Sequence, residues 1–355
     1  MKYITQLFRV LVGVLFIVSG FVKLVDPYGT SYKLTEYFSA DVLNLTFLQP
    51  FVLPLSFIFV VAEVVLGVLL LLGIFKKFTL TNLLLLILFF SFLTFYSAYF
   101  NKVTDCGCFG DALKLQPWQT FYKDLVLLVM IIVIIIGHQY IKPIFPPKVG
   151  ISIALVITLI SIGIASWGIF RMPIIDFRPY AIGQDLKENM KVIQEAKITR
   201  FYTLKNLKDN KLKRVSDSIY TNDSIYWDET QWEIQSDLTK DSVILPEIPA
   251  KIHGFEIGTP EKTEEVLNTK TPVYLIINHD ELTPDEKERI TQFIAQLKQK
   301  KLEYYFLTSK KSNIFDNEYE MDGTVLKTIN RSSPGVVLIK NGIVIDNWNW
   351  RALPF

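Results

Sequence analysis

The chain holds 355 residues, half of them apolar, with 37 basic against 35 acidic side chains and a formal net charge of +2. A balance so near neutral, with no basic run, argues against a nucleic-acid partner. The apolar half is unevenly spread: residues before about 171 read as membrane-like, and the rest as a water-soluble polymer.

Five hydrophobic runs fall near 5–25, 51–75, 79–100, 118–138 and 150–170, each close to the ~20 residues a helix needs to cross a bilayer. Lipid is therefore the first partner the sequence implies. The first run is long, carries Lys23 and Asp26 at its far end and lacks a small-residue cleavage site, so it is expected to stay as a helix. An odd number of spans puts the chain ends on opposite sides. The short connections hold Lys76-Lys77 and Lys142/Lys148, and the amino end holds Lys2 and Arg9, which marks these faces as cytoplasmic. Lys23, Lys33, Lys102 and Lys114 on the other side keep the bias modest. The expectation is an inner-membrane protein with a cytoplasmic amino terminus and a periplasmic carboxyl-terminal domain.

Ionisable groups in hydrocarbon are costly and usually face a bundle interior. Glu63, near the middle of the second span, is the most membrane-buried acid. It reads either as a proton-handling or quinone-facing carboxyl, or as a glue residue, protonated or paired with Arg9 or a serine such as Ser19. Gly13, Ser19, Gly20 and Gly67 offer small surfaces for close helix contact. Residues 31–45, with Leu34, Tyr37, Phe38, Val42 and Leu43, suit an amphipathic helix on the outer surface.

The only two cysteines stand one residue apart in Cys106-Gly107-Cys108-Phe109-Gly110-Asp111, on a polar loop between the third and fourth runs. They are the candidate redox pair. In a Cys-x-Cys pair the Cα atoms lie near the limit for bridging, so a disulfide there would be strained and readily reduced. Gly107 permits the tight turn that such a ring needs. The alternatives are free thiols packed as small hydrophobes, or half of a metal site. His138, His253 and His279 lie far off in sequence and no second cysteine pair exists, so no metal site is expected. Lys23 and Asp26 follow the first span, and Lys123-Asp124 begin the fourth just after Trp118, at an aromatic-belt position. Lys23 and Lys123 are the nearest candidate cations and would favour a thiolate; Asp105 and Asp111 would oppose it.

Ser19-Gly20-Phe21-Val22-Lys23 followed by Asp26-Pro27, Glu63 with Gly67 and Gly73, and above all Cys106-Gly107-Cys108-Phe109-Gly110 resemble the DoxX-like superfamily, and within it the methylamine-utilisation MauE family. The resemblance covers roughly residues 5–140. It implies a membrane-embedded bundle, here residues 1–140, associated with extracytoplasmic thiol–disulfide traffic beside thioredoxin-like partners. Residues 150–170 then supply a fifth spanning helix.

Residues 171–250 open on a proline-marked exit, Arg171 to Tyr180, and alternate polar and apolar from 198 onward with turn signals, the mark of a β-rich segment. From 251 to 355 the pattern becomes βαβαββ. Val273 to Ile277 suits a central strand, and Thr283-Pro284-Asp285-Glu286 opens a helix with a capping box and proline at its first position. Ile290, Phe293, Ile294 and Leu297 fall on one face of it. Tyr304 to Leu307 is a second strand, a short helix is expected near 321–329, and Asn341-Gly342 joins two further strands in a hairpin. This stretch resembles the end of a thioredoxin fold with Pro334 as its cis-proline, and Ile252 to Ile257 looks like the first strand of TlpA and peroxiredoxin relatives. The departures matter as much. Asn278-His279-Asp280-Glu281, where the dithiol should stand, contains no cysteine, so this domain cannot perform dithiol exchange. The usual final helix is missing unless the β-rich segment covers that face. His279 is expected as a solvated loop histidine.

The expected architecture is thus a polytopic α-helical membrane protein: a DoxX/MauE-like four-helix bundle, a fifth transmembrane helix, and an extracytoplasmic α+β domain with a degenerate thioredoxin-like core. No nucleotide loop, serine-triad motif or metal-binding run appears. Two functional readings stay open. In the first, Cys106 and Cys108 exchange electrons with a soluble thiol protein docked by the thioredoxin-like domain, with a quinone in the bundle as candidate electron sink. In the second, the chain is a non-catalytic anchored subunit or assembly factor of a cell-envelope complex, for example in protein export or secretion, and the thiols are structural.

Overall fold

Hydropathy decides the first 170 residues. In the computed structural model, which describes residues 1–103, 107–113, 115–195, 197–245, 248–258, 261–312 and 314–355, they form six helices. These are α1 (Lys2–Leu24), α2 (Pro27–Phe38), α3 (Val52–Leu72), α4 (Lys76–Phe100), α5 (Pro117–Ile136) and α6 (Pro147–Phe170). All but α2 are long and apolar enough to cross a membrane, α3 with the 3-10 turn Thr46–Phe51 ahead of it. The chain is therefore a multi-pass membrane protein. α1 lies along α3, α4 along α5, and α6 against α3. The α1–α3 contact is close because both helices present glycine: a Cβ on Gly67 would sit 2.8 Å from the Gly13 carbonyl oxygen.

The short helix departs from expectation. Asp26 caps α2 by accepting from the Gly29 N–H at 3.1 Å, with Pro27 in the first turn, so the helix starts before residue 31 and ends at Phe38, where Ser39 is extended. Leu34, Tyr37 and Phe38 are buried with Leu93 and Val103, so this face closes the end of the bundle and does not lie on lipid.

Residues Asp185–Phe255 form a unit of their own. After α7 (Leu186–Asn189), strand β1 (Lys197–Asn206) pairs antiparallel with β2 (Leu212–Ser216) on one edge. Its other edge carries β4 (Lys240–Leu245) along its first half and β3 (Trp232–Ile234) along its last residues. Leu204, Val215 and Tyr226 are the small core, with α8 (Asp217–Asn222) alongside β1 and β2.

The remaining residues, from Glu256, build a lobe that belongs to the same compact unit as the helices. Its elements are α9 (Thr263–Asn268), β5 (Val273–Asn278), α10 (Pro284–Gln299), β6 (Glu303–Thr308), β7 (Glu318–Glu320), α11 (Gly323–Ile329), β8 (Gly335–Lys340) and β9 (Ile343–Asn349). The sheet order is β7-β6-β5-β8-β9, with β5, β6 and β7 parallel and β8 and β9 antiparallel to their neighbours. β5 is buried along its whole length, as a continuous apolar run in a sheet covered on both faces requires. Ile290, Phe293, Ile294 and Leu297 of α10 pack on Tyr274, Ile276, Tyr304, Phe306 and Val336; α11 packs on β5 and β6, and α9 on β8. The Thr283/Glu286 capping box forms, and Asn341 and Gly342 both take positive φ, 50° and 79°, as a two-residue hairpin turn demands. The Ser333–Pro334 peptide bond is cis.

No strand forms over Ile252 to Ile257. The Ile257 N–H donates to the Thr263 hydroxyl at 2.9 Å and the Gly258 N–H to the Glu320 carbonyl, which leaves no ladder at this point. Between α6 and the lobe, Arg178 is buried. It forms two hydrogen bonds to Asp176 and donates to the carbonyls of Thr328 and Ile329 at the end of α11.

Candidate functional site

The cysteine loop is built from two consecutive turns. Gly107 and Gly110 take positive φ, 66° and 51°, the Gly110 N–H donates to the Gly107 carbonyl, and the Ala112 N–H to that of Phe109. Ser19 of α1 donates its hydroxyl to the Cys108 carbonyl at 2.9 Å. This fixes Cys108, half-buried, on the wall of a cavity with about 400 Å³ of empty space, part of it open. Phe16, Phe90 and Leu127 supply apolar wall. The polar wall is Ser19, Lys23, Glu63, Lys123 and Asp124, drawn from α1, α3 and α5. A neighbouring cavity, lined by Lys33 and Tyr37 of α2, shares Lys23, Phe90 and Cys108 with it.

The charges at the cavity form two pairs. Lys23 Nζ is in direct contact with Glu63 Oε1, both almost fully buried, and Ser19 Oγ lies 3.5 Å from Glu63 Oε2. Lys123 Nζ stands 2.8 Å from Asp124 Oδ1, while Thr94 donates to Asp124 Oδ2 at 3.1 Å. Buried charges persist when they are paired, and Asp124 is further held by the Thr94 hydroxyl. Lys123 also lies 5.2 Å from the centre of the Phe109 ring and is near enough to Cys108 for their charges to interact. With each lysine already balanced by a carboxylate, a thiolate at Cys108 would be the surplus charge. Lys123 is the more accessible ammonium to receive it.

Lys23, Lys123, Asp124 and Cys108 thus meet at one cavity. Glu63 shares this cavity with Cys108, because Lys23 reaches it from one turn beyond Ser19 on the same face of α1. Arg9, offered by the sequence as a partner for Glu63, is committed elsewhere. It donates to the Leu70, Leu71 and Lys142 carbonyls and so satisfies the open end of α3. Cys106, and with it any pairing to Cys108, lies outside the described residues.

Asp26 is not at the cavity. Beyond capping α2 it binds Arg331, a residue the sequence did not single out. Arg331 Nε donates to Asp26 Oδ2 at 2.8 Å, Nη2 to Asp111 Oδ2 at 2.5 Å, and Nη1 to the Lys327 carbonyl. Burial would lower the guanidinium pKa, but the two aspartates override it and hold Arg331 more firmly protonated than an ordinary arginine.

His279 is buried, its side chain 1% exposed, where a solvated loop histidine was expected. Tyr32 of α2 meets its ring edge-on with centres 6.2 Å apart, and Ser333 Oγ accepts the backbone N–H groups of His279 and Asp280. The surface at His279 is therefore occupied in part by the chain's own α2. His279 Nδ1 lies 3.1 Å from Asp280 Oδ2, and this contact keeps the Asp280 carboxyl below the usual range against its partial burial.

Comparison with known proteins agrees with the helical part alone. Neither a curated protein nor a solved structure matches the chain. Residues 1–137, which span α1 through α5 and carry every residue of the cavity, match the family described as methylamine utilisation protein MauE, so the amino-terminal membrane part of this chain is MauE-like.

Proposed function

We propose that this chain is an inner-membrane redox protein that passes electrons between an extracytoplasmic dithiol protein and a lipid-soluble quinone through Cys106 and Cys108. The observation that carries this reading is the seat of Cys108 on the wall of an ion-paired cavity inside the bundle. In the first half-reaction a partner's thiolate attacks the Cys106–Cys108 disulfide, and its second thiol resolves the mixed disulfide. The partner leaves oxidised and two protein thiols remain. In the second, those thiols lose two electrons and two protons and the disulfide closes again.

A bound quinone supplies the acceptor for both electrons and both protons. The residues present suit it: the ammonium groups of Lys23 and Lys123 are donors for carbonyl oxygens, and Phe16, Phe90 and Leu127 offer apolar surface to a ring. Lys123 stabilises the thiolate of Cys108. Glu63 Oε2 and Asp124 Oδ2 are the carboxylate oxygens placed to hold protons in transit.

The C-terminal lobe we read as a degenerate thioredoxin-like domain. Its order β6-β5-β8-β9, with one parallel and two antiparallel pairings and a helix after each of the first two strands, supports this, as does the cis Pro334 at the start of β8. Asn278 to Glu281 offer no thiol, so the lobe contributes contacts and no electrons. The lysine-bearing short connections support an amino terminus in the cytoplasm, with the cysteine loop and residues 171–355 in the periplasm. The vacant dithiol position favours the second reading, an anchored non-catalytic subunit of an envelope complex.

Thiol trapping in native membranes separates the two. The pair should be found oxidised, should be reduced by an added dithiol protein, and should reoxidise only while quinone is present. Cys106→Ser and Cys108→Ser should each abolish the cycle in protein that still inserts. If the double serine variant supports every cellular role of the wild type, the anchor reading replaces the redox one.

A further inference from the structure

We propose that Arg331 is a positioning residue for the cysteine loop, a latch through which the C-terminal lobe holds Cys108 against the cavity. This rests on reading that loop as the reactive site. Several side chains grip the described part of the loop. Ser19 binds the Cys108 carbonyl, Lys33 packs on Gly107, where a Cβ would lie 2.9 Å from its Cγ, and Lys123 lies over Phe109. A further grip is Arg331 on Asp111, three residues beyond Cys108, and it comes from outside the bundle.

The same guanidinium binds Asp26 at the start of α2 and the Lys327 carbonyl of α11, beside the ring of Tyr32 at 5.5 Å. One buried cation, 6% exposed, thus joins α2, the cysteine loop and the lobe. Without it the bundle would hold two carboxylates close together in a poorly solvated place, and each would repel the other. Asp111 is the one free to move, because Asp26 is fixed as a helix cap. Loss of the latch should therefore swing the Asp111 half of the loop toward water and loosen the hold of Ser19 and Lys123 on Cys108 and Phe109, while the pairing of α1 with α3 and of α4 with α5 keeps the bundle intact.

The test is the rate at which a membrane-impermeant maleimide labels Cys108 in the full chain carrying Cys106→Ser. Asp111→Asn and Arg331→Gln should each raise the rate about tenfold or more, the factor expected when a buried charge contact that restrains local opening is removed. Combined, they should do no more than Arg331→Gln alone, since that variant already lacks the contact to Asp111. Arg331→Lys, which keeps the charge but cannot bridge two carboxylates, should fall between. A reporter for general loosening is Ser91→Cys, buried in α4, in a chain lacking both native cysteines; it should stay unlabelled beside each latch variant.

Rates within about twofold of the parent in Asp111→Asn would overturn the latch, as would labelling of Ser91→Cys in step with Cys108. Asp111→Asn leaves the Arg331–Asp26 pair in place and decides the matter even if Arg331→Gln fails to fold. The assay needs no turnover, so its failure would remove the latch and leave the redox reading to the trapping experiment.

Discussion

The helical bundle and the C-terminal lobe solve the problem of buried polarity in opposite ways. The bundle, whose surroundings are apolar, buries Lys23, Glu63 and Asp124 and sets them, with the partly exposed Lys123, in two ion pairs around a cavity, while a further buried cation, Arg9, is held by carbonyls at the end of α3. The lobe has water to turn to and keeps its sheet core apolar, with β5 buried on both faces and α10 closing one of them. A deeply buried cation of the lobe, Arg331, points out of that core to Asp26 and Asp111. The contrast teaches where chemistry can reside: charges held dry at a cysteine are in the helices, and the lobe acts by what it touches.

The sharpest way to break this comparison is to unpair the bundle's interior. Lys23→Met should leave Glu63 without a counter-charge and cost about 3–5 kcal/mol of stability, whereas Lys23→Met with Glu63→Gln should recover most of the loss. Thermal unfolding of the detergent-solubilised protein measures both. Equal losses in the single and double variants would mean that the pair is not held dry.

A smaller effect is expected from helix packing. Gly67→Ala would force a Cβ to within 2.8 Å of the Gly13 carbonyl oxygen and of Ile17, and should cost about 1–3 kcal/mol by pushing α1 from α3. The smallest effect sharpens the comparison at the contact between the two regions. Burial, against the opposing pull of Arg331, raises the Tyr32 phenol above the usual tyrosine range. A folded-state pKa raised in this way contributes stability that is complete below the unfolded value, about 10, and is lost as pH rises beyond it. Tyr32→Phe should therefore flatten the fall in thermal midpoint between pH 9 and 11 by roughly a degree or two. An unchanged fall would show that Tyr32 titrates normally.

The spanning helices could be read from hydropathy because lipid leaves few alternatives for an apolar run of twenty residues. The hairpin at Asn341-Gly342 and the start of α10 could be read because turn and cap chemistry are local. The site was legible only in pieces. Lys23, Glu63, Lys123 and Asp124 were visible as polar residues in or beside the spans, but which of them share a cavity depends on helix rotation, and Lys23 took the place at Glu63 that Arg9 seemed to offer. Arg331 carried no signal: its carboxylate partners lie 305 and 220 residues away, and an arginine in a soluble segment looks like any surface charge. His279 was misread for the same reason, since what covers it is an aromatic ring from α2.

The clamp that Arg178 places on the end of α11 has a consequence for any protein that would approach the cysteine loop. Only residues 171–177 separate the end of α6 from Arg178, a leash of at most about 28 Å when fully extended. A lobe released from Asp111 cannot drift away; it stays in the neighbourhood of the loop at an effective concentration on the order of millimolar. An incoming partner competes with a tethered rival for the same few square ångströms, so a weak transient visitor will be turned away unless it binds before the lobe rebinds. Lengthening the leash with a flexible insert after Arg171 should relax that competition while leaving every residue of the cavity untouched.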